Sequence, residues 1–213
     1  MADSDAVICL GEALIDRLGP LGGDPACDQP VDDRLGGAPA NVACGLTRLG
    51  TTVAFVGRVG GDAIGADFQR LFSQRGVDTS TLQVDPSRPT RIVLVRRSLD
   101  GERQFQGFAG DQGDGFADQA LQPVALPSTA CWLLVGTIPL ASPQSAQALL
   151  DAVAQARSHG IALALDVNWR PTFWDPAADP AAGPNEAAKA VIRPLLEQAA
   201  LIKLAREEAL WFF

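Results

Sequence analysis

Histidine is almost absent from this chain of 213 residues: His159 is the one copy. It sits in Arg157-Ser158-His159-Gly160, which reads as the basic last turn and glycine stop of a helix. That argues against a Ser-His-Asp triad and against a multi-histidine metal centre. Cysteine is scarce too. Cys9, Cys27, Cys44 and Cys131 are scattered, with no C-x-x-C pair. This favours reduced thiols in a cytoplasmic protein over disulfides or a zinc site. Three of the four lie in apolar segments and read as core filler. Positive charge is also short, with 17 Lys and Arg against 25 Asp and Glu, a net charge of -8 and a pI near 4.6. A chain this acidic is a poor partner for nucleic acid or an anionic membrane. No apolar run approaches the length of a membrane span, and Val7 to Leu10 is too short for the core of a signal peptide. G-x-x-x-x-G-K-[ST], G-x-G-x-x-G after a strand and G-x-S-x-G are all missing, which argues against a P-loop NTPase, a dinucleotide fold and a nucleophile elbow.

What is present describes a globular protein of one or two domains, 47% apolar and 20% charged. Ala6 to Leu10 reads as a buried strand, with Gly11 to Asp16 still strand-like. Residues 19 to 34 are rich in Gly, Pro and Asp and read as a loop or small hairpin. Leu35-Gly36-Gly37-Ala38-Pro39-Ala40-Asn41-Val42-Ala43 then turns into a helix ending near Gly50, with Val42, Leu46 and Leu49 expected on the buried face. Pro39 suits the first helical turn. Thr52 to Val56 is the next strand, broken at Gly57. Asp62 caps a second helix that stops at Gly76.

Residues 90 to 108 differ. Their alternation and the turn Leu99-Asp100-Gly101-Glu102 predict an antiparallel hairpin, 90–97 with 103–108, forming a small sheet with residues 19 to 34. Alternating α/β order resumes at the strand Trp132 to Val135. A helix from Ser142 to Gly160, a strand Ile161 to Val167, a Pro/Ala/Asp-rich loop and a helix over 185–200, expected to be disturbed at Pro194, come next. The strand Leu201 to Leu204 and a helix from Arg206 close the chain.

In such sheets ligands gather at the carboxyl ends of the strands. Asp16, the glycine turn with Asn41, Gly136-Thr137 and Asp166-Asn168-Arg170 stand at such ends. The two glycines let a ligand approach the backbone, and free N–H groups at a helix start favour an oxygen-rich ligand. Asp16 is suited to accept from sugar hydroxyls and Arg170 to bind an anion through two bonds. Asp16 as a solvated strand end, and Asp166 with Arg170 as an internal ion pair, remain open alternatives. Lys203 and Glu208 flank the last strand–helix junction, where they would serve a triphosphate and its Mg²⁺ or simply face solvent.

Gly36-Gly37-Ala38-Pro39-Ala40-Asn41-Val42-Ala43, with Gly50 and Gly60, resembles the first signature of the PfkB (ribokinase-like) carbohydrate kinases. Gly11-Glu12-Ala13-Leu14-Ile15-Asp16, Val56 to Asp62 with Gly65, Asp166-x-Asn168-x-Arg170 and Leu204 to Glu208 extend the match over nearly the whole chain. The opening is most similar to fructokinases.

The resemblance implies an α/β fold, a ribokinase-like α/β/α sandwich over residues 1–213, incomplete at its C-terminus. A β-sheet lid at about 17–34 and 90–110 would close over the sugar and join a homodimer. It implies ATP and Mg as cofactors and a sugar as substrate. Asp16, Gly36, Gly37, Asn41 and Arg170 are then expected at the sugar, Arg170 also near the phosphoryl group. Asn168, Lys203 and Glu208 are expected near the nucleotide, Glu208 acting on Mg indirectly.

Ala205 stands where the family often has Asn. Ala38 and Thr137 stand where ribokinases have Lys and Glu, which argues against ribose. The second signature, G-A-G-D with the general-base Asp, does not occur in the chain. The chain stops in mid-pattern at Trp211-Phe212-Phe213, so it is expected to be a fragment, inactive alone, of a fructokinase-like sugar kinase. The alternatives are a non-catalytic sugar- or nucleoside-binding or dimerising module, or a kinase for ribose, 2-keto-3-deoxygluconate or a nucleoside.

Overall fold

A computed structural model of the chain describes residues 6–101, 103–111 and 113–213. Glu102 of the predicted hairpin turn lies outside the described residues. The ten strands and six helices of the described chain form a layered core and a smaller second sheet. The core strands are β1 (Ala6–Leu10), β4 (Val53–Gly60), β5 (Leu82–Asp85), β8 (Ala130–Gly136), β9 (Ala162–Asp166) and β10 (Leu201–Lys203), in the order β10-β9-β8-β1-β4-β5 and all parallel. Sequences such as AVICL and ACWLLVG suit strands covered on both faces.

Two helices, α1 (Ala38–Arg48) and α2 (Ala63–Arg75), pack one face of this sheet against Cys9 and Phe55. On the other face α3 (Pro143–His159) and α5 (Glu186–Gln198) bury Leu149 and Ile192 against Ile8, Leu10 and Leu133. The result is an α/β/α sandwich. Local signals set the helix ends. Asp62 accepts from Gly65 N–H at 2.8 Å to start α2, and Gly76 and Gly160 take left-handed geometry to end α2 and α3.

The second sheet has the order β3-β2-β6-β7, from β2 (Leu14–Leu21), β3 (Asp32–Gly36), β6 (Ile92–Arg97) and β7 (Arg103–Ala109). β6 and β7 are antiparallel, as the Asp100-Gly101 turn requires. Leu14, Leu18, Val93 and Val95 cluster with Ile138 and Phe173, which seats the sheet against the core. Its stem at Thr90 is tied down by polar bonds. Asp62 accepts from Thr90 N–H at 2.7 Å and from its hydroxyl at 2.9 Å, and that hydroxyl accepts from Gly60 N–H at 2.9 Å.

Several expectations change. β4 runs through Gly57 to Gly60, because β5, which was not foreseen, pairs with that half of it. Gly57 is needed in the strand, since a Cβ there would lie 2.4 Å from the Phe55 ring. Asp16 is not at the end of a core strand: β2 belongs to the second sheet and starts at Leu14, before residue 17. Val42 and Leu46 pack on the core as expected, but the fully buried residues of α1 are Pro39, Ala40 and Ala43, and Leu49 is 82% exposed. Small residues let α1 lie close on the sheet, and Leu49 falls past its last turn. α5 continues through Pro194 without interruption. Asp166 pairs with Lys203, not Arg170. Of the cysteines expected as filler, Cys9 is fully buried and its thiol is pushed up to about 12 by burial and by Cys44. Among the described residues no helix is long and apolar enough to cross a membrane.

Candidate functional site

The chain leaves the central strand β1 at Gly11, passes Glu12 and Ala13, and enters β2 of the second sheet. It returns along β3 and re-enters the core through the turn Gly36-Gly37 at the start of α1. The two passages press backbone on backbone. Gly37 has φ +100, and a Cβ on it would lie 2.3 Å from Glu12 O. Only glycine fits there. Gly36 is similarly close to its neighbour, with a Cβ position 2.9 Å from Asp16 Oδ2.

A cleft of about 180 Å³ opens between the second sheet, the start of α1 and the chain following β9. Asp16, Gly37, Asn41, Asn168 and Arg170 all line it, with Phe105, Ile138 and Phe173 as apolar walls. Burial raises the pKa of Asp16, and the charges of Arg103, Arg170 and Arg34 pull it back down. Asn168 holds φ +38, a conformation that Asn tolerates better than most residues. Arg170 donates to Trp169 O at 2.7 Å and its guanidinium stands 5.4 Å from the Phe105 ring. The cleft thus offers a carboxylate, two amides and one guanidinium around a partly apolar space. That set suits several hydroxyls and one anionic group.

Lys203 and Glu208 do not line this cleft. Lys203 stands 3.0 Å from Asp166 Oδ1, its partner in the β9–β10 register, and its side chain is 63% exposed. Glu208 is buried in α6 (Arg206–Phe212) and accepts from Trp169 N–H and Ala205 N–H, both at 2.6 Å. It therefore braces the segment leading to Arg170. Thr137 is fully buried, and its hydroxyl donates to Val167 O at 2.5 Å.

Two residues, Glu12 in the cleft wall and Arg91 behind it, carried no role in the sequence reading. Glu12 is 2% exposed; its Oε1 accepts from Ala38 N–H at 3.0 Å and its Oε2 has no partner. The first N–H of α1 is thus already taken. Arg91 binds Asp118 through two bonds of 2.9 and 3.1 Å and lies 4.5 to 4.8 Å from the ring centres of Phe108, Phe116 and Phe173. A void of about 10 Å³ beneath the cleft touches both Glu12 and Arg91, room for roughly one water. The signal for Glu12 was its position straight after an apolar strand, since acids are rarely buried unpaired.

A family model described as pfkB family carbohydrate kinase matches residues 4–213. The probable fructokinase-6, chloroplastic, of Arabidopsis thaliana is 31% identical over 207 residues, 97% of this chain and 52% of that protein. The fructokinase of Vibrio cholerae O395, solved with fructose, ADP and calcium ion bound, superposes with a TM-score of 0.80 at 29% identity, over 99% of this chain and 63% of that one. The ATP-bound fructokinase of Xylella fastidiosa gives a TM-score of 0.79 at 27% identity, over 98% of this chain and 63% of that one. The chain thus spans 52 to 63% of the length of these three proteins.

Proposed function

The chain belongs to the pfkB family of carbohydrate kinases, and from that premise we propose that it is the sugar-binding part of an ATP-dependent, fructokinase-like enzyme. The reaction is phosphoryl transfer from ATP to a primary hydroxyl of a sugar, with fructose the favoured acceptor. The observation that carries this reading is the convergence of Asp16, Gly37, Asn41, Asn168 and Arg170 on one 180 Å³ cleft. Fructose is favoured because the Vibrio cholerae relative binds it and the Arabidopsis relative is called a fructokinase. Thr137 donates its hydroxyl to Val167 O and does not line the cleft, so it offers the sugar no contact of the kind a Glu there would make.

In this reading Asp16 accepts from two sugar hydroxyls, while Asn41 and the Gly36-Gly37 backbone hold others. Arg170 faces the reacting hydroxyl and the phosphoryl group. Phosphoryl transfer depends mostly on such positioning and on charge stabilisation. ATP binds near the ends of β9 and β10, where Lys203 is exposed enough to reach a phosphate once it leaves Asp166. Asn168 adjoins the same edge.

Among the described residues no cluster of three His, Cys, Asp or Glu side chains suits a metal. Glu208 has both oxygens bonded to backbone N–H groups and does not fit as a direct ligand of Mg²⁺. Its influence on an ion carried by the nucleotide would pass through the Ala205 turn, and no step is assigned to the ion.

No G-A-G-D occurs among these 213 residues, and we assign none of them as the general base. We therefore expect sugar binding with little turnover, which is also what a non-catalytic binding module would give. A cytoplasmic location and a homodimer through the second sheet belong to the same proposal. A coupled assay of fructose-dependent ADP release tests it. Turnover at an ordinary kinase rate of about 1–100 s⁻¹ by this chain would refute the need for the missing signature.

A further inference from the structure

Glu12 is the one acidic side chain of the described core that is buried with an unpartnered oxygen and also touches the ligand cleft. Its surroundings explain why it has no counterion. Arg91, across the small void, is paired with Asp118 through two bonds and packed among three aromatic rings. Those two opposite charges, from the stem of β6 and the short turn at Ala117–Ala120, are the ionised groups that act on Glu12. The other elements packed around it contribute uncharged groups: Ala38 and Pro39 of α1, Gly136 at the end of β8, and Ser142 and Ser145 at α3. Two backbone N–H groups, that of Ala38 at 3.0 Å and that of Glu12 itself, are the polar support the carboxyl receives.

We propose that Glu12 is a positioning residue of the sugar subsite, holding the Gly36–Ala38 turn through Ala38 N–H, and that it does so as a neutral carboxyl group. This rests on the sugar-kinase reading of the cleft. The geometry supports it in two ways. The turn that Glu12 holds carries Gly37 and leads directly to Asn41, both in the cleft wall. A neutral carboxyl keeps the acceptor for Ala38 while avoiding an uncompensated charge in a nearly dry site. Burial, opposed by the Glu12 and Ala38 N–H groups, pushes the group up to about 7.

A functional consequence follows by linkage. Glu12 is part of the cleft wall, so a sugar that fills the cleft removes what water still reaches it. That disfavours the charged form further, and binding above pH 7 takes up a proton. Sugar affinity then falls as pH rises through 7, by at most tenfold per pH unit. Asp16 in the same cleft is also raised by burial but is opposed by Arg103, Arg170 and Arg34, and Glu12→Gln separates its titration from that of Glu12.

The test is isothermal titration of the 213-residue chain with fructose at pH 6, 7, 8 and 9, in two buffers of different ionisation enthalpy. The expected result is affinity falling three- to tenfold per unit above pH 7, with proton uptake. Glu12→Gln, which keeps the acceptor for Ala38, should bind as the parent does at pH 6 and show no such slope. Glu12→Ala should bind weakly at every pH, with circular dichroism checking that it folds. Fructose binding that is present but independent of pH in the parent overturns the inference alone. Absence of fructose binding at pH 6 overturns the sugar reading itself. The Ala38 amide resonance gives a ligand-free check. It should titrate near pH 7 in the parent and not in Glu12→Gln, and a resonance that does not move between pH 5 and 9 refutes the pH-dependent hold on the turn.

Discussion

Asp62→Ala is the substitution whose effect the structure defines best. One carboxylate starts α2 and anchors the second sheet at the same time. It accepts from Gly65 N–H at 2.8 Å, from Thr90 N–H at 2.7 Å and from the Thr90 hydroxyl at 2.9 Å. Loss of an N-cap acceptor costs about 1 kcal/mol. Thr90 is almost completely buried, so its N–H would be left without a partner, at about 1–3 kcal/mol. The sum is about 2–4 kcal/mol. With a urea slope of about 2 kcal/mol per molar, the middle of the range for small proteins, the midpoint should fall by about 1–2 M. Equilibrium urea unfolding followed by far-UV circular dichroism measures it. Thr90→Ala and the double variant complete a cycle, and a coupling of about 1 kcal/mol or more is expected between the two sites. An Asp62→Ala loss below about 0.5 kcal/mol, or a cycle with no coupling, would refute the assignment of that carboxylate as the joint between α2 and the β6 stem.

Other substitutions probe the floor of the cleft. A carboxyl raised from 4.5 to about 7 stays protonated in the folded protein while the unfolded chain has already lost its proton. Folding stability should therefore fall as pH rises from 4.5 to 7 and level off above, by up to about 3 kcal/mol, and Glu12→Gln should remove that slope in urea melts across the range. Gly37→Ala places a Cβ 2.3 Å from Glu12 O at a positive φ, so it should cost at least about 1–3 kcal/mol and abolish fructose binding. Gly45→Ala, with nothing within 4 Å of the new Cβ and a place inside α1, should instead stabilise by up to about 1 kcal/mol. Arg91→Met strands the buried Asp118 carboxylate and should lose about 3–5 kcal/mol in thermal or urea unfolding, much of it recovered in Arg91→Met with Asp118→Leu.

What could be read from the chain, and what could not, divides along physical lines. The caps of α2, the glycine stop of α3 and the Asp100-Gly101 hairpin depend on a few neighbouring residues, and those were legible. β5 was not, because four residues at the edge of a sheet, two of them only half-buried, carry no usable period. Without β5 there was no reason to extend β4 through Gly57. Asp16, Gly37, Asn41 and Arg170 stand together in one cleft, although Asp16 reaches it from the second sheet and not from a core strand. Lys203 meets Asp166 because β9 and β10 pair them in register, and register is a tertiary fact. Glu12 is the clearest case of a site residue hidden in the sequence. Its burial and its bond to Ala38 arise only when the two stems of the second sheet cross.

The central claim is that the cleft between the second sheet and the start of α1 holds a sugar. Calorimetric titration with fructose at pH 6, comparing the parent chain with Asp16→Ala and with Lys203→Ala, tests it most directly. Saturable one-to-one binding by the parent, lost in Asp16→Ala and retained in Lys203→Ala, is the expected result. Binding by the parent that survives Asp16→Ala unchanged, or no binding by the parent at all, would contradict it.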